Sequence, residues 1–157
     1  MKKPYALLTA SLMLVFGCAQ TQVAPENAAG QPTANKVASI KAGKEQGSID
    51  KEYFRKLLAE KPANVYIVDV RTPFEYKAGH FDGAKHVFIN DLYDKGCDAT
   101  LAQLPKEGYV VFVCATGARA GEMYSGMLDD CKGKVDAKRL YFLDAEVAYS
   151  PTGAVVR

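Results

Sequence analysis

The chain has 157 residues with 20 basic and 18 acidic side chains, a formal net charge of +2, and this near balance leaves no footprint for nucleic acid. With the N-terminal 47 residues set aside, the remaining length allows one domain with a single core. No repeat or low-complexity block interrupts that domain.

In chain order, Lys2 and Lys3 precede an apolar run from Tyr5 to Phe16. The run is too short to span a bilayer comfortably, and the pair of features predicts an export signal over residues 1–17. Gly17 followed by Cys18 resembles the lipobox of bacterial lipoproteins, in which cleavage leaves a lipid-modified cysteine, here Cys18, as the new N-terminus. Ala19 rather than Asp follows, and where a cell has two membranes the resemblance then implies the outer one, with the domain facing the periplasm or exposed at the surface. Residues 18–47 are mostly Ala, Gln, Thr, Pro, Asn and Gly, so they bury too little surface to offset ordering entropy and are predicted to be a tether. The domain is then 48–157.

"SIDKEYFRKLLAEKP" carries Tyr53, Phe54, Leu57 and Leu58 at helical spacing, with Ser48 or Asp50 as cap and Pro62 beyond the end. "NVYIVDV" is β-branched and almost wholly apolar, as a strand buried on both faces of a parallel sheet requires. "TPFEYKAGH" predicts a short helix capped by Thr72, opened by Pro73 and stopped at Gly79. "AKHVFIN" reads as a second strand, "ATLAQLP" as a weak helix, and "GYVVFVC" as the most apolar strand, ending abruptly at Cys114. "RAGEMYSGMLDDC" is a helix with Met123, Met127 and Leu128 on one face, and "RLYFLD" is a fourth strand. Alternating strands and helices predict an α/β domain with a mainly parallel sheet flanked by helices.

With Cys18 in the anchor, Cys97, Cys114 and Cys131 remain, and an odd number in an oxidising compartment points to a free reactive thiol. If two pair, Cys97 with Cys131 is the natural choice, since both lie in polar, loop-like stretches; two free surface thiols are the alternative. Cys114 sits at the carboxyl end of a strand, where functional groups of parallel sheets collect. The loop "ATGA" leads into a helix near Arg119, so backbone N–H groups and the positive helix end can favour a thiolate. Gly117 permits positive φ, and Arg119 adds a permanent cation with a donor fork. A buried cysteine is commonly a small hydrophobe, but this combination carries a mechanism for a nucleophile.

"CATGAR" resembles the C-x-x-G-x-R active-site loop of the rhodanese-like sulfurtransferases, and "VDVRTPFEYKAGHFDGAKHV" is similar to that family's D-V-R, E-Y, G-H and G-A signature. The resemblance spans about 49–143 and implies a single rhodanese-like domain. It implies that Cys114 takes a sulfane sulfur from a donor such as thiosulfate and holds it as a persulfide, with ping-pong kinetics. Ala115, Thr116, Gly117, Ala118 and Arg119 would form the cradle for that charged sulfur. The related dual-specificity phosphatases and arsenate reductases resemble C-x5-R; only four residues separate Cys114 from Arg119 here, which favours sulfur over phosphate or arsenate.

Matches to Asp69, Arg71, Glu75 and His80 in the family mostly fix loops beside the site, with Arg71 also a candidate contact for an anionic donor. No cofactor is implied, and with His80 and His86 as the only histidines no metal site is expected. Ala120 stands where the family usually has Ser or Thr, and Asp144-Ala145 where many relatives carry two glycines. Expected partners are a small sulfur-containing anion or thiol, the membrane through the anchor, and a protein of a membrane complex. Two other readings are a non-catalytic rhodanese-like module of a membrane-associated assembly, and a thiol–disulfide exchanger using Cys114 with Cys97 or Cys131, which lacks C-x-x-C.

Overall fold

The structure is a computed structural model that describes residues 35–157. The export signal, the lipidated Cys18 and the tether up to residue 34 lie outside the described residues.

The domain is α/β, with a parallel sheet in the order β2–β1–β3–β4 and helices against it. Strand β1 (Val65–Asp69) and strand β3 (Tyr109–Val113) pair along their full length, from Val65 opposite Tyr109 to Asp69 opposite Val113. The shorter β2 (Lys85–His86) and β4 (Leu140–Phe142) flank them. The two-residue period divides β3 between two cores. Val110, Phe112 and Cys114 face α4 (Ala118–Asp130), with Met123 and Met127, and α3 (Asn90–Leu101), with Leu92. Val111 and Val113 face α1 (Lys51–Glu60), with Phe54 and Leu57. Phe112, Val111 and Val113 are wholly buried, each stabilising the fold by about 1.5–3 kcal/mol through apolar burial.

The caps fall where side chains can serve them. Asp50 Oδ1 accepts from Tyr53 N at 2.8 Å and starts α1, and Lys61, left-handed at φ 46, ends it before Pro62. Thr72 caps α2 (Pro73–Ala78), with Pro73 in the first turn.

Several expectations need correction. Residues 36–47 do not behave as tether: Ile40 is 8% exposed in the core with Phe54 and Leu57, and Asn64 exchanges two hydrogen bonds with the Val37 backbone. Residues 47–49 extend the sheet at β4, with Ile49 N–H donating to Phe142 O and Phe142 N–H to Gly47 O. The strand expected from "AKHVFIN" shrinks to two residues. Helix α3 begins at Asn90 rather than near Ala99, because Leu92 packs into the core and the chain breaks its helical course at Gly96 (φ 80). The C-terminal segment forms an antiparallel hairpin, β5 (Val147–Ser150) and β6 (Gly153–Val156), for which no strand was expected.

Cys97 on α3 and Cys131 at the end of α4 are disulfide-bonded, with Cα atoms 5.3 Å apart, so the bond ties the two helices together. Cys131 lies in the core at 0% exposure rather than in a polar loop. Closing this 34-residue separation in the unfolded chain stabilises the fold by about 3–4 kcal/mol in the chain-entropy account.

Candidate active site

Cys114 follows β3 directly, where Val70 N–H donates to Val113 O at 3.0 Å and ends the ladder with β1. It is 1% exposed and is the only free cysteine among the described residues. Residues 115–117 turn the chain into α4, whose N-cap is Gly117 at φ 89 with no side chain to cap the helix. Gly121 N–H to Gly117 O, at 2.8 Å, is the first bond of the helix. Among the described residues, none of the backbone N–H groups of 115–120 donates to a protein acceptor. Six successive unpaired donors at a helix N-terminus form a cradle for an anion beside the sulfur.

Gly117 is required in two ways. Its φ belongs to the left-handed region, and a Cβ would stand 2.9 Å from Asp144 Oδ1, 3.0 Å from Asp144 Cα and 3.1 Å from Leu143 O. The loop therefore lies directly on the chain after β4, against Leu143 and Asp144. Ala120, in the first turn of α4, is fully buried.

Arg119 meets Glu75 as a two-point fork, Nη1 to Oε2 and Nη2 to Oε1, both 2.8 Å. The same carboxylate accepts from Thr72 N at 3.1 Å and from Thr72 Oγ1 at 2.7 Å, while Thr72 Oγ1 accepts from Glu75 N. One glutamate thus closes the capping box of α2 and anchors the first turn of α4. The Arg119 bonds, aided by Thr72 and opposed by burial, hold the Glu75 carboxyl down at about 2. Glu75 in turn raises the Arg119 pKa, with the Cys114 charge adding to the effect.

Arg71 was expected to be able to contact an anionic donor; instead it is engaged inside the protein at 3% exposure. Its Nε lies 2.9 and 3.0 Å from the two Asp69 oxygens, and Nη2 donates to Asp69 Oδ2 and to Gly79 O, both at 2.6 Å. Asp69 is fully buried, so its charge demands such a partner. The Arg71 guanidinium lies 3.3 Å over the ring of Tyr149. His86 Nε2 meets Arg71 O at 2.7 Å, and Tyr76 stacks between His80 at 4.0 Å and His86 at 4.7 Å. This group reaches the site through Tyr149, the ring beneath the Arg71 guanidinium.

Tyr149 is the residue that sequence reasoning missed. Its hydroxyl donates to the Cys114 carbonyl at 3.2 Å, and two residues earlier Val147 N–H donates to Ala115 O at 2.9 Å. The signal that would have found it is the S-P-T-G turn between "VAY" and "AVV", a hairpin pattern. A cavity of about 560 Å³ opens elsewhere, between α1, β1 and the hairpin, with none of residues 114–120 in its walls. The chemistry of the cysteine loop marks the site; cavity size does not.

The rhodanese-like domain family model matches residues 50–144, and the chain belongs to that family. Among solved structures it is similar to a rhodanese-related protein from Thermoplasma volcanium, at 18% identity and TM-score 0.48, covering 64% of this chain and 86% of that one. A rhodanese-like domain protein from Staphylococcus aureus is similar at 24% identity and TM-score 0.46, covering 64% and 85%. An uncharacterized protein from Saccharomyces cerevisiae is similar at 22% identity and TM-score 0.45, covering 68% and 85%. No curated protein matches the chain.

Proposed function

We propose that this rhodanese-like domain is an exported, lipid-anchored sulfurtransferase that carries a sulfane sulfur on Cys114. The observation that carries the reading is the row of unpaired N–H groups over 115–120 beside the one free thiol among the described residues. With thiosulfate as donor, the Cys114 thiolate attacks the outer sulfur and forms a disulfane bond. The bond to the sulfonate sulfur breaks, and sulfite leaves with the electron pair. A thiophilic acceptor such as cyanide, a small thiol or a protein thiol then attacks the terminal sulfur and releases the Cys114 thiolate. The cradle amides bind the negative sulfur in each state without reorganising, an oxyanion-hole type of stabilisation. Arg119 contributes its charge and, through Glu75, fixes the start of α4. Export and anchoring rest on the Lys2-Lys3 and Gly17-Cys18 patterns, with the outer membrane as destination.

The test is loading. Wild-type protein incubated with thiosulfate, mercaptopyruvate or polysulfide gains one sulfur atom on Cys114 by intact and peptide mass spectrometry without reductant. Cys114→Ser gains none while remaining folded. A loaded serine variant would sink the mechanism.

A second reading, a non-catalytic module in a membrane-associated assembly, draws on the 1% exposure of Cys114 and on the commitment of Arg119 to Glu75. A folded wild-type protein that takes no sulfur from any donor, yet whose Cys114 is alkylated and which co-purifies with a stoichiometric partner, selects this reading.

A further inference from the structure

We infer that strand β5 is a positioning device for the cradle, acting through the Tyr149 hydroxyl and the Val147 N–H on the first two peptide units after β3. A trans peptide unit is planar, so its C=O and N–H point in opposite directions. Tyr149 holds the Cys114 carbonyl at 3.2 Å and Val147 holds the Ala115 carbonyl at 2.9 Å. Holding the first carbonyl sets the direction of Ala115 N–H, and holding the second sets that of Thr116 N–H. With both carbonyls drawn to the hairpin, their negative ends face away from the side to which the two amides point. The donors of 118–120 are oriented by the helix itself, starting with the Gly117 carbonyl that accepts from Gly121 N–H, and need no such help.

The support for Tyr149 is itself rigid. Its ring lies under the Arg71 guanidinium, which Asp69 and Gly79 O hold, and edge-on to Phe81 at 5.8 Å between centroids. Gly79 packs on the same strand so closely that a Cβ would come within 2.0 Å of Ser150 O. The charged groups acting on the phenol are Asp69, Arg71, Cys114 and Arg119, and burial is the largest influence, raising its pKa so that the hydroxyl remains a donor. The Asp69, Arg71 and Tyr149 group therefore does work at the site without touching substrate: Tyr149 is a positioning residue.

This inference deepens the sulfur-transfer reading and rests on it for its purpose, but its test does not. In the full chain, Tyr149→Phe removes the hydroxyl and keeps the ring under Arg71. Alkylation of Cys114 is followed with anionic iodoacetate and neutral iodoacetamide, with folding checked by far-ultraviolet circular dichroism. The iodoacetate-to-iodoacetamide rate ratio is expected to fall by roughly three- to tenfold, the range one hydrogen bond supplies. A purely structural tyrosine would change both rates together, and an unchanged ratio overturns the inference. As a second measurement, the Ala115 and Thr116 amide resonances of Cys114→Ser should move on titration with thiosulfate; if they stay still, the inference falls whatever Tyr149→Phe does. A wild type that never loads sulfur while the ratio still falls in Tyr149→Phe defeats the transfer reading and leaves the positioning role standing.

Discussion

Glu75→Gln isolates the link between the two helices that frame the cysteine loop. The carboxyl is held at about 2 against an ordinary value of 4.5, chiefly by Arg119. A depressed carboxyl stabilises the fold fully above the unfolded value, near 4.5, and that stability is lost as pH falls through the folded value, near 2. The whole shift would be worth about 3 kcal/mol at 1.36 kcal/mol per unit. The pair is only two-thirds buried, with side chains 33% and 34% exposed, so solvent screening brings the expectation to about 1–2 kcal/mol. Urea denaturation of wild type and Glu75→Gln at pH 7, 4 and 2.5 reads it. Glu75→Gln should be the less stable at pH 7, with the gap narrowing below pH 4.5 and nearly closed close to pH 2, where the wild-type carboxyl is itself becoming neutral. A gap that stays constant with pH would mean the glutamine disturbs packing and the charge is irrelevant. No gap at pH 7 would refute the ion pair as an anchor of α4.

Gly117→Ala should destabilise by about 2–3 kcal/mol, combining the left-handed backbone cost with the contacts at Leu143 O and Asp144, and should abolish sulfur loading; full activity at unchanged thermal midpoint would contradict the required geometry. Cys97→Ala with Cys131→Ala should lower stability by about 2–4 kcal/mol in urea titrations while Cys114 still accepts sulfur, since the bond ties helices and takes no part in transfer. Arg71→Lys loses the fork to Asp69 and Gly79 O and should destabilise by roughly 2 kcal/mol or more. If stability held and the KM for thiosulfate rose instead, Arg71 would be a donor contact after all.

What was legible in the sequence and what was not divide along one physical line. Strands β1 and β3 could be read because burial on both faces demands unbroken apolar runs, and α2 because Thr72, Pro73 and Gly79 are signals of a helix start and stop. Cys114 could be placed because the apolar run stops there. The first half of α3 was hidden by Gly96, which interrupts the period, and Ile40 by a polar stretch in which a single buried residue has no pattern. Arg71 looked available because its charge suits an anion; Asp69, two residues earlier at the end of a buried strand, was the clue that the charge was already claimed. The cradle is the extreme case. Its donors and the carbonyls that must be kept away from them are backbone groups, identical at every position, and only Gly117 leaves a trace of them in residue type. What orients those groups comes from Val147 and Tyr149, more than thirty residues downstream, in the C-terminal hairpin. A nucleophile can therefore be found by its own loop, whereas the parts that make the loop an anion site have to be found by asking where each carbonyl of that loop is bonded.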